Sequence, residues 1–379
     1  MLTNDYNYRV IVWVFVWFLL VIQVLTNTGQ AEDSASDLAD KVDILLQKGL
    51  IQPLEHDGNF LWICEVTVGS SSQRAEDEQK FRVMLDTASS DFWLVSDDCV
   101  GEACGNRRRF SVNKSTSIKF SNNREIVARY GGGSKVSGIQ VKDRLRLAGV
   151  TIEEQSILLA KSMVGPMLKN FPYDGVLGLG TKFRSRLRAL TPFEQMIEQK
   201  LIVEPVFSLL LNPVAYLNDQ PGGEFIFGAI HQNYSSSEFK NVSLVTDMEW
   251  KIKLSKVSLR RTQIISENPP ELNDELMSVC NTRSSSNCIA MIDSGTPLIR
   301  GPSAEIQRLN DYLGAILLPD RPMFAFPNCS MIAQLPNLIF TINQNEDLEL
   351  EPLDYVIKYQ VLDTTTNTTK MIEKCHSAL

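Results

Sequence analysis

Met84-Leu85-Asp86-Thr87-Ala88 recurs later in the chain as Met291-Ile292-Asp293-Ser294-Gly295. In each copy two apolar residues lead into an aspartate, followed by a hydroxyl residue and then a small one. A single aspartate after a strand is ordinary, because Asp favours turns. Two copies of one strand–Asp–hydroxyl–small pattern read differently. A duplicated half-barrel would present Asp86 and Asp293 to each other at the seam between its halves. Two carboxylates sharing a site raise one pKa and favour a single shared proton. Such a pair can hold a water: the ionised carboxylate takes its proton during attack on a carbonyl. The protonated partner stabilises the developing oxyanion and helps protonate the leaving amine. That chemistry needs no metal and no cofactor.

Around these motifs the texture is β. Short runs rich in Val, Ile, Phe and Trp alternate with Gly, Ser, Asn and Pro turns. Strands are expected at 60–68, 81–85, 92–96, 207–211, 224–227, 250–254 and 338–342. Helical periodicity is confined to 191–199 and 303–313, so the fold class is all-β with minor helix. Two polar stretches, 73–80 and 266–287, read as surface insertions.

The composition is that of a large globular chain. Its 379 residues are 44% hydrophobic and 22% charged, enough for two packed lobes. The formal net charge of −8 argues against a nucleic-acid partner, and the Arg107–Arg109 and Arg184–Arg188 clusters read as solvated loop charges. At the N-terminus Arg9 precedes residues 10–25, which are apolar except for Gln23, and Gly29 and Ala31 supply small residues for cleavage. This pattern predicts a signal peptide over 1–31, the run being shorter than the about 20 residues of a membrane span. No stable membrane span is expected. Asn113, Asn233, Asn241, Asn328 and Asn367 head glycosylation triplets. Of seven cysteines, the spacing suggests short loops from Cys99 to Cys104 and from Cys280 to Cys288. Cys329 and Cys375 can close a longer one, leaving Cys64 over as a buried core residue. His56, His231 and His376 are far apart and read as surface residues, so no zinc site is expected.

The sequence Asp86-Thr87-Ala88-Ser89-Ser90-Asp91-Phe92-Trp93 resembles the Asp-Thr-Gly-Ser-Ser-x-x-Trp signature of pepsin-like aspartic proteases. Asp293-Ser294-Gly295-Thr296 is similar to the second signature of that family. Arg129-Tyr130-Gly131-Gly132-Gly133-Ser134 resembles its flap hairpin, whose Tyr closes over bound peptide. Tyr173-Asp174-Gly175-Val176-Leu177-Gly178-Leu179-Gly180 resembles the segment that crosses beneath the first active-site loop. The three cysteine pairs fall where the family places its bridges. The resemblance implies a bilobal pepsin-like fold with the active site between two duplicated lobes, and a catalytic pair Asp86 and Asp293. It implies supporting roles for Thr87, Ser89, Ser294, Gly295 and Thr296, with hydrogen bonds between Thr87 and Ser294 bracing the two loops and Ser89 near the Asp86 carboxylate. Tyr130, Gly131, Gly132 and Trp93 become flap and substrate-binding residues, Trp93 supporting Tyr130.

The expected organisation is a signal peptide over 1–31 and a short acidic pro-like segment over 32–50. A first lobe with Asp86 and the flap then covers 51–236, and a second lobe with Asp293 covers 237–379. The expected product is a monomeric, secreted or lysosomal endopeptidase acting on protein or peptide at acid pH. Four departures limit the activity reading, and the alternative is an inactive secreted glycoprotein with a protease-like fold that binds peptides. Ala88 replaces a signature glycine, and Gly132 replaces a flap threonine. The pro-like segment is acidic where the family's is basic. Finally, Gly178 follows Asp86, but the same offset from Asp293 falls beyond Leu379, so the second lobe is expected to be incomplete.

Overall fold

This computed structural model describes residues 19–23, 49–56, 61–70, 78–170, 172–212, 221–230, 242–261, 275–280, 288–319, 323–342, 346–363 and 370–379. The chain is all-β and divides into two units. The first comprises Trp17–Lys251 and Met291–Gly295; the second comprises Ile252–Ala290 and Thr296–Leu379. The sequence placed the lobe boundary between 236 and 237. By contacts the first unit runs on to Lys251 and takes in the loop carrying Asp293.

The first unit is an eleven-stranded sheet. In chain order its strands are β1 (Leu19–Gln23), β2 (Leu50–His56), β3 (Trp62–Val68), β4 (Gln79–Asp86), β5 (Trp93–Val100), β6 (Lys119–Arg129), β7 (Lys135–Leu147), β8 (Val150–Val164), β9 (Gly175–Gly178), β10 (Val206–Leu211) and β11 (Gly223–Phe227). The spatial order is β1-β10-β11-β2-β3-β4-β9-β5-β8-β7-β6, and a further pairing of β3 with β7 curls the sheet back on itself. In β7 buried and less buried residues alternate, as a strand with one covered face requires. By contrast Val83, Met84, Leu85 and Asp86 at the end of β4 are all buried, because β4 is central, between β3 and β9. The core beneath the future site contains Ile63, Met84, Trp93, Leu158, Tyr173 and Val176.

Every expected strand forms. The helix expected at 191–199 is Pro192–Glu198, started by a capping box: Glu194 N donates to Thr191 Oγ1 at 3.3 Å and Thr191 N donates to Glu194 Oε2 at 2.9 Å. Two polar stretches were misread. Gln79 and Lys80, given to an insertion, open β4 opposite Val68 and Thr67. Gln79 also exchanges hydrogen bonds with the Ser111 backbone at 2.7 and 3.0 Å, which is why a polar residue is kept there. Likewise Glu275–Val279 is a strand inside the second expected insertion.

Among the described residues the second unit has two sheets. With β12 (Lys251–Arg260), β13 (Glu275–Val279), β14 (Cys288–Met291), β15 (Ile316–Leu317), β16 (Phe324–Ala325), β17 (Asn337–Ile342), β18 (Glu346–Leu350), β19 (Val356–Asp363) and β20 (Lys370–Ser377), the orders are β13-β12-β17-β18, with β14 on β12, and β15-β16-β20-β19. The expected helix spans Ser303–Leu313 and ends at Gly314, whose φ of 76° is left-handed.

The disulfides are Cys99–Cys104, Cys280–Cys288 and Cys329–Cys375. Cys64 is free and buried, and burial pushes its thiol up to about 12, which makes it an inert core residue. His376 corrects the expectation of three surface histidines. It is buried on β20, with Nε2 2.9 Å from Tyr359 Oη. His56 is half-buried with its ring edge-on to Trp62, and His231 lies outside the described residues. Most of 1–31, the acidic stretch up to 48, Asn233, Asn241 and Asn367 also lie outside them. The exception in the N-terminal run is β1, whose backbone pairs antiparallel with β10. Asn113 and Asn328 are exposed, and Asn328 Oδ1 accepts from Ser330 N.

Candidate active site

Asp86 closes β4, where the chain must turn sharply. Its backbone C=O accepts from Leu179 N at 2.8 Å, and its carboxylate Oδ1 accepts from Ala88 N at 2.9 Å and Ser89 N at 3.2 Å. Ser89 thus reaches Asp86 through its N–H. The turn rests on β9, which runs parallel to β4 with Gly178 opposite Asp86. A Cβ at Gly178 would sit 2.6 Å from Asp91 N and from Ser90 C, so only glycine lets the crossing strand lie this close beneath the loop.

The second aspartate is held in the same manner. Asp293 follows β14, and its Oδ1 accepts from Gly295 N at 3.0 Å. One residue earlier, Ile292 N donates to Trp250 O at 2.9 Å, while Trp250 Nε1 donates to Leu179 O at 2.7 Å. Trp250 therefore ties the Asp293 loop to Leu179, the residue whose N–H holds the Asp86 carbonyl.

Between the loops the hydroxyl residues exchange hydrogen bonds. Thr87 N donates to Ser294 Oγ at 3.1 Å, and Ser294 N donates to Thr87 Oγ1 at 3.0 Å. The same hydroxyls donate onward, Thr87 Oγ1 to Ile292 O at 2.7 Å and Ser294 Oγ to Leu85 O at 2.9 Å. A Cβ at Gly295 would lie 2.7 Å from Asp86 Cγ, which shows how tightly the second loop abuts the first carboxyl. Thr296 follows, half-buried.

The electrostatics follow from this geometry. Asp86 is buried and Asp293 half-buried. Burial, and then the charge of Asp293, push the Asp86 carboxyl up to about 6, against the pull of its hydrogen bonds. Asp86 is thereby suited to keep a proton that an ordinary aspartate has lost.

The β6–β7 hairpin carries Tyr130 just before a single turn at Gly131–Gly133, all three glycines being exposed. Buried Trp93 donates from Nε1 to Tyr130 Oη at 2.8 Å, with the rings edge-on and 6.4 Å apart. The Tyr130 hydroxyl is held well above its ordinary pKa by burial and then by the charges of Asp86 and Asp91, so it stays a neutral donor. Trp93 and Tyr130 are thus brought together, while Gly131 and Gly132 stand exposed at the hairpin tip.

Ala88 is exposed at the position equivalent to Gly295, and its φ is not in the left-handed region. The alanine is accommodated without backbone strain.

Sequence reasoning missed Asp91, which stood as a variable position in the signature. It is buried and accepts from Ser185 Oγ at 2.7 Å, Arg186 N at 3.0 Å and Leu187 N at 3.3 Å. The available signal was an acid lodged between Ser90 and the apolar pair Phe92-Trp93. Asp174 acts similarly, accepting from Arg82 N and Arg108 N at 2.8 Å each.

The chain belongs to the eukaryotic aspartyl protease family, whose family model matches residues 62–377. It is similar to pepsin A of Rhinolophus ferrumequinum, 30% identical over 309 residues that cover 82% of this chain and 72% of that protein. Pepsin A of Suncus murinus is 31% identical over 311 residues, covering 82% and 69%. Pregnancy-associated glycoprotein 1 of Bos taurus is 28% identical over 291 residues, covering 77% and 67%.

Proposed function

We propose that this chain is an aspartic endopeptidase that hydrolyses peptide bonds of proteins at acid pH, with a water activated between Asp86 and Asp293. The observation that carries the reading is the pair of matched aspartate turns locked by reciprocal Thr87–Ser294 hydrogen bonds. Asp86, raised to about 6, holds the shared proton and offers it to the carbonyl oxygen as charge develops there. Asp293 in its ionised form takes the proton of the attacking water. Thr87 and Ser294 fix the distance between the loops, and Gly295 leaves room for the Asp86 carboxyl. Tyr130, braced by Trp93, covers the bound peptide, with Gly131 and Gly132 at the tip.

The apolar N-terminal run, three disulfides and exposed Asn113 and Asn328 support a chain made through the secretory pathway, released or delivered to a lysosomal lumen. No described helix is long and apolar enough to cross a membrane. The proposed form is a monomer that takes peptide in the cleft.

One observation favours a second reading, a peptide-binding glycoprotein without turnover: Ala88 adds a methyl group where the matching loop has Gly295. The test is hydrolysis of an acid-denatured protein by the purified chain beside Asp86→Asn and Asp293→Asn. Turnover that requires both aspartates supports the enzyme, and binding without turnover supports the second reading.

A further inference from the structure

A groove of about 570 Å³ in the first unit runs between Arg124–Val127 of β6 and Ser185–Arg188. An adjoining hollow of about 690 Å³ shares Gln140, Ser185 and Arg188 with it and adds Lys142, Lys182 and Phe183. Five cationic side chains, Arg124, Lys142, Lys182, Arg186 and Arg188, therefore line two adjoining hollows in which Glu125 is the one acidic wall residue among the described residues. This is unlike the rest of a chain whose net charge is −8. Of the five cations, Lys142 is matched by Glu154 at 3.6 Å, and the neighbouring Arg184 by Glu249 at 3.3 Å. Arg186 and Arg188 are exposed, and among the described residues neither guanidinium group forms a salt bridge, Arg186 meeting Asp91 through its backbone N–H alone. Arg188, where the two hollows meet, has a φ of 51°, a left-handed backbone that a non-glycine residue adopts at a cost.

Both walls belong to elements that also build the catalytic site. β6 is the strand that leads to Tyr130, and the Ser185 hydroxyl and the Arg186 and Leu187 N–H groups are held by Asp91 on the turn after Asp86. We propose that this basic groove binds acidic residues of the polypeptide substrate flanking the cleaved bond, so that the enzyme selects acidic segments. The inference rests on the protease reading, since the walls of the groove share β6 with the flap and are held by Asp91 of the turn after Asp86. It also requires that substrate carboxylates be ionised while the aspartate pair keeps its proton. Ordinary Asp and Glu side chains ionise above about 4, whereas Asp86 is raised to about 6, and the interval between them satisfies both conditions.

The test is a binding measurement that does not depend on cleavage. The full chain carrying Asp86→Asn is titrated with a fluorescent decapeptide containing several Asp and Glu residues, and with its Asn/Gln counterpart, near pH 5.5 at low salt. The expected result is about tenfold tighter binding of the acidic peptide, the effect of two or three exposed charge pairs, and its loss as salt rises. Arg186→Gln with Arg188→Gln is expected to erase the difference, and Lys at both positions to restore most of it, separating charge from folding. Equal binding of the two peptides overturns the proposal. So does a sulfated polysaccharide bound through Arg186 and Arg188 while the peptides remain indistinguishable. Wild-type hydrolysis, measured separately, reports on the protease reading alone.

Discussion

Thr87 and Ser294 hold each other by two reciprocal hydrogen bonds, each backbone N–H donating to the other residue's hydroxyl at 3.1 and 3.0 Å. This exchange fixes how far apart the two aspartate turns stand. Thr87→Val keeps the shape but leaves Ser294 N–H and Ile292 C=O without their partner. The expected loss is about 2–4 kcal/mol of stability, from two buried polar groups left unsatisfied. Turnover falls with it while KM changes less. Thr87→Ser keeps the bonds and should be tolerated; denaturant unfolding and steady-state kinetics on both variants check this.

The two small residues after the aspartates are not equivalent. Gly295→Ala forces a methyl to within 2.7 Å of Asp86 Cγ, so the carboxyl must move. The expected outcome is at least a hundredfold loss of turnover, equivalent to about 2.7 kcal/mol. Ala88→Gly removes an exposed, unstrained methyl from the other loop, so kcat is expected to change by no more than about twofold with stability little changed. Parallel kinetics on the two variants decide it.

Asp91 supports the loop from Ser185 to Leu187 with one carboxylate. Asp91→Ala strands one hydroxyl and two backbone N–H groups, and should cost about 2–4 kcal/mol. Limited proteolysis should then nick the arginine-bearing stretch near Arg184–Arg188 first. Asp91→Asn retains one acceptor and is expected to lose about half as much.

The pH dependence of stability has a definite sign. Asp86 titrates near 6 when folded and near about 3.9 when unfolded, so the native state binds the extra proton between these values. Stability therefore declines as pH rises from about 4 to 6, and the penalty is complete above 6, at roughly 3 kcal/mol for about two units. In Asp86→Asn this part of the decline should vanish. Thermal unfolding of both proteins at several pH values within that range measures it.

Much of the site was legible because its motifs are local. Met84 to Trp93, Met291 to Thr296 and the Tyr130 hairpin each carry their chemistry within a few residues. The strands were legible from apolar runs, even where, as in β4, full burial removes the alternation. Asp91 and Trp250 were not, since their roles depend on partners far along the chain: Ser185 to Leu187 for one, Leu179 and Ile292 for the other. Gln79 and Glu275 were misread for a related reason. Their polar side chains suggested loops, while their backbones pair in sheets whose partners, β3 and β12, lie elsewhere in sequence. The basic groove likewise exists only once β6, β7 and the 182–190 loop are brought together, although its arginines are plain in the sequence.

The most direct measurement of the central claim is hydrolysis of an acid-denatured protein by the purified chain between about pH 3 and 7, with Asp86→Asn and Asp293→Asn alongside. The account predicts cleavage that declines as pH rises through about 6, where Asp86 gives up its proton, and that is lost in both variants. Undiminished cleavage by either variant, or none by the folded chain anywhere in that range, would contradict it.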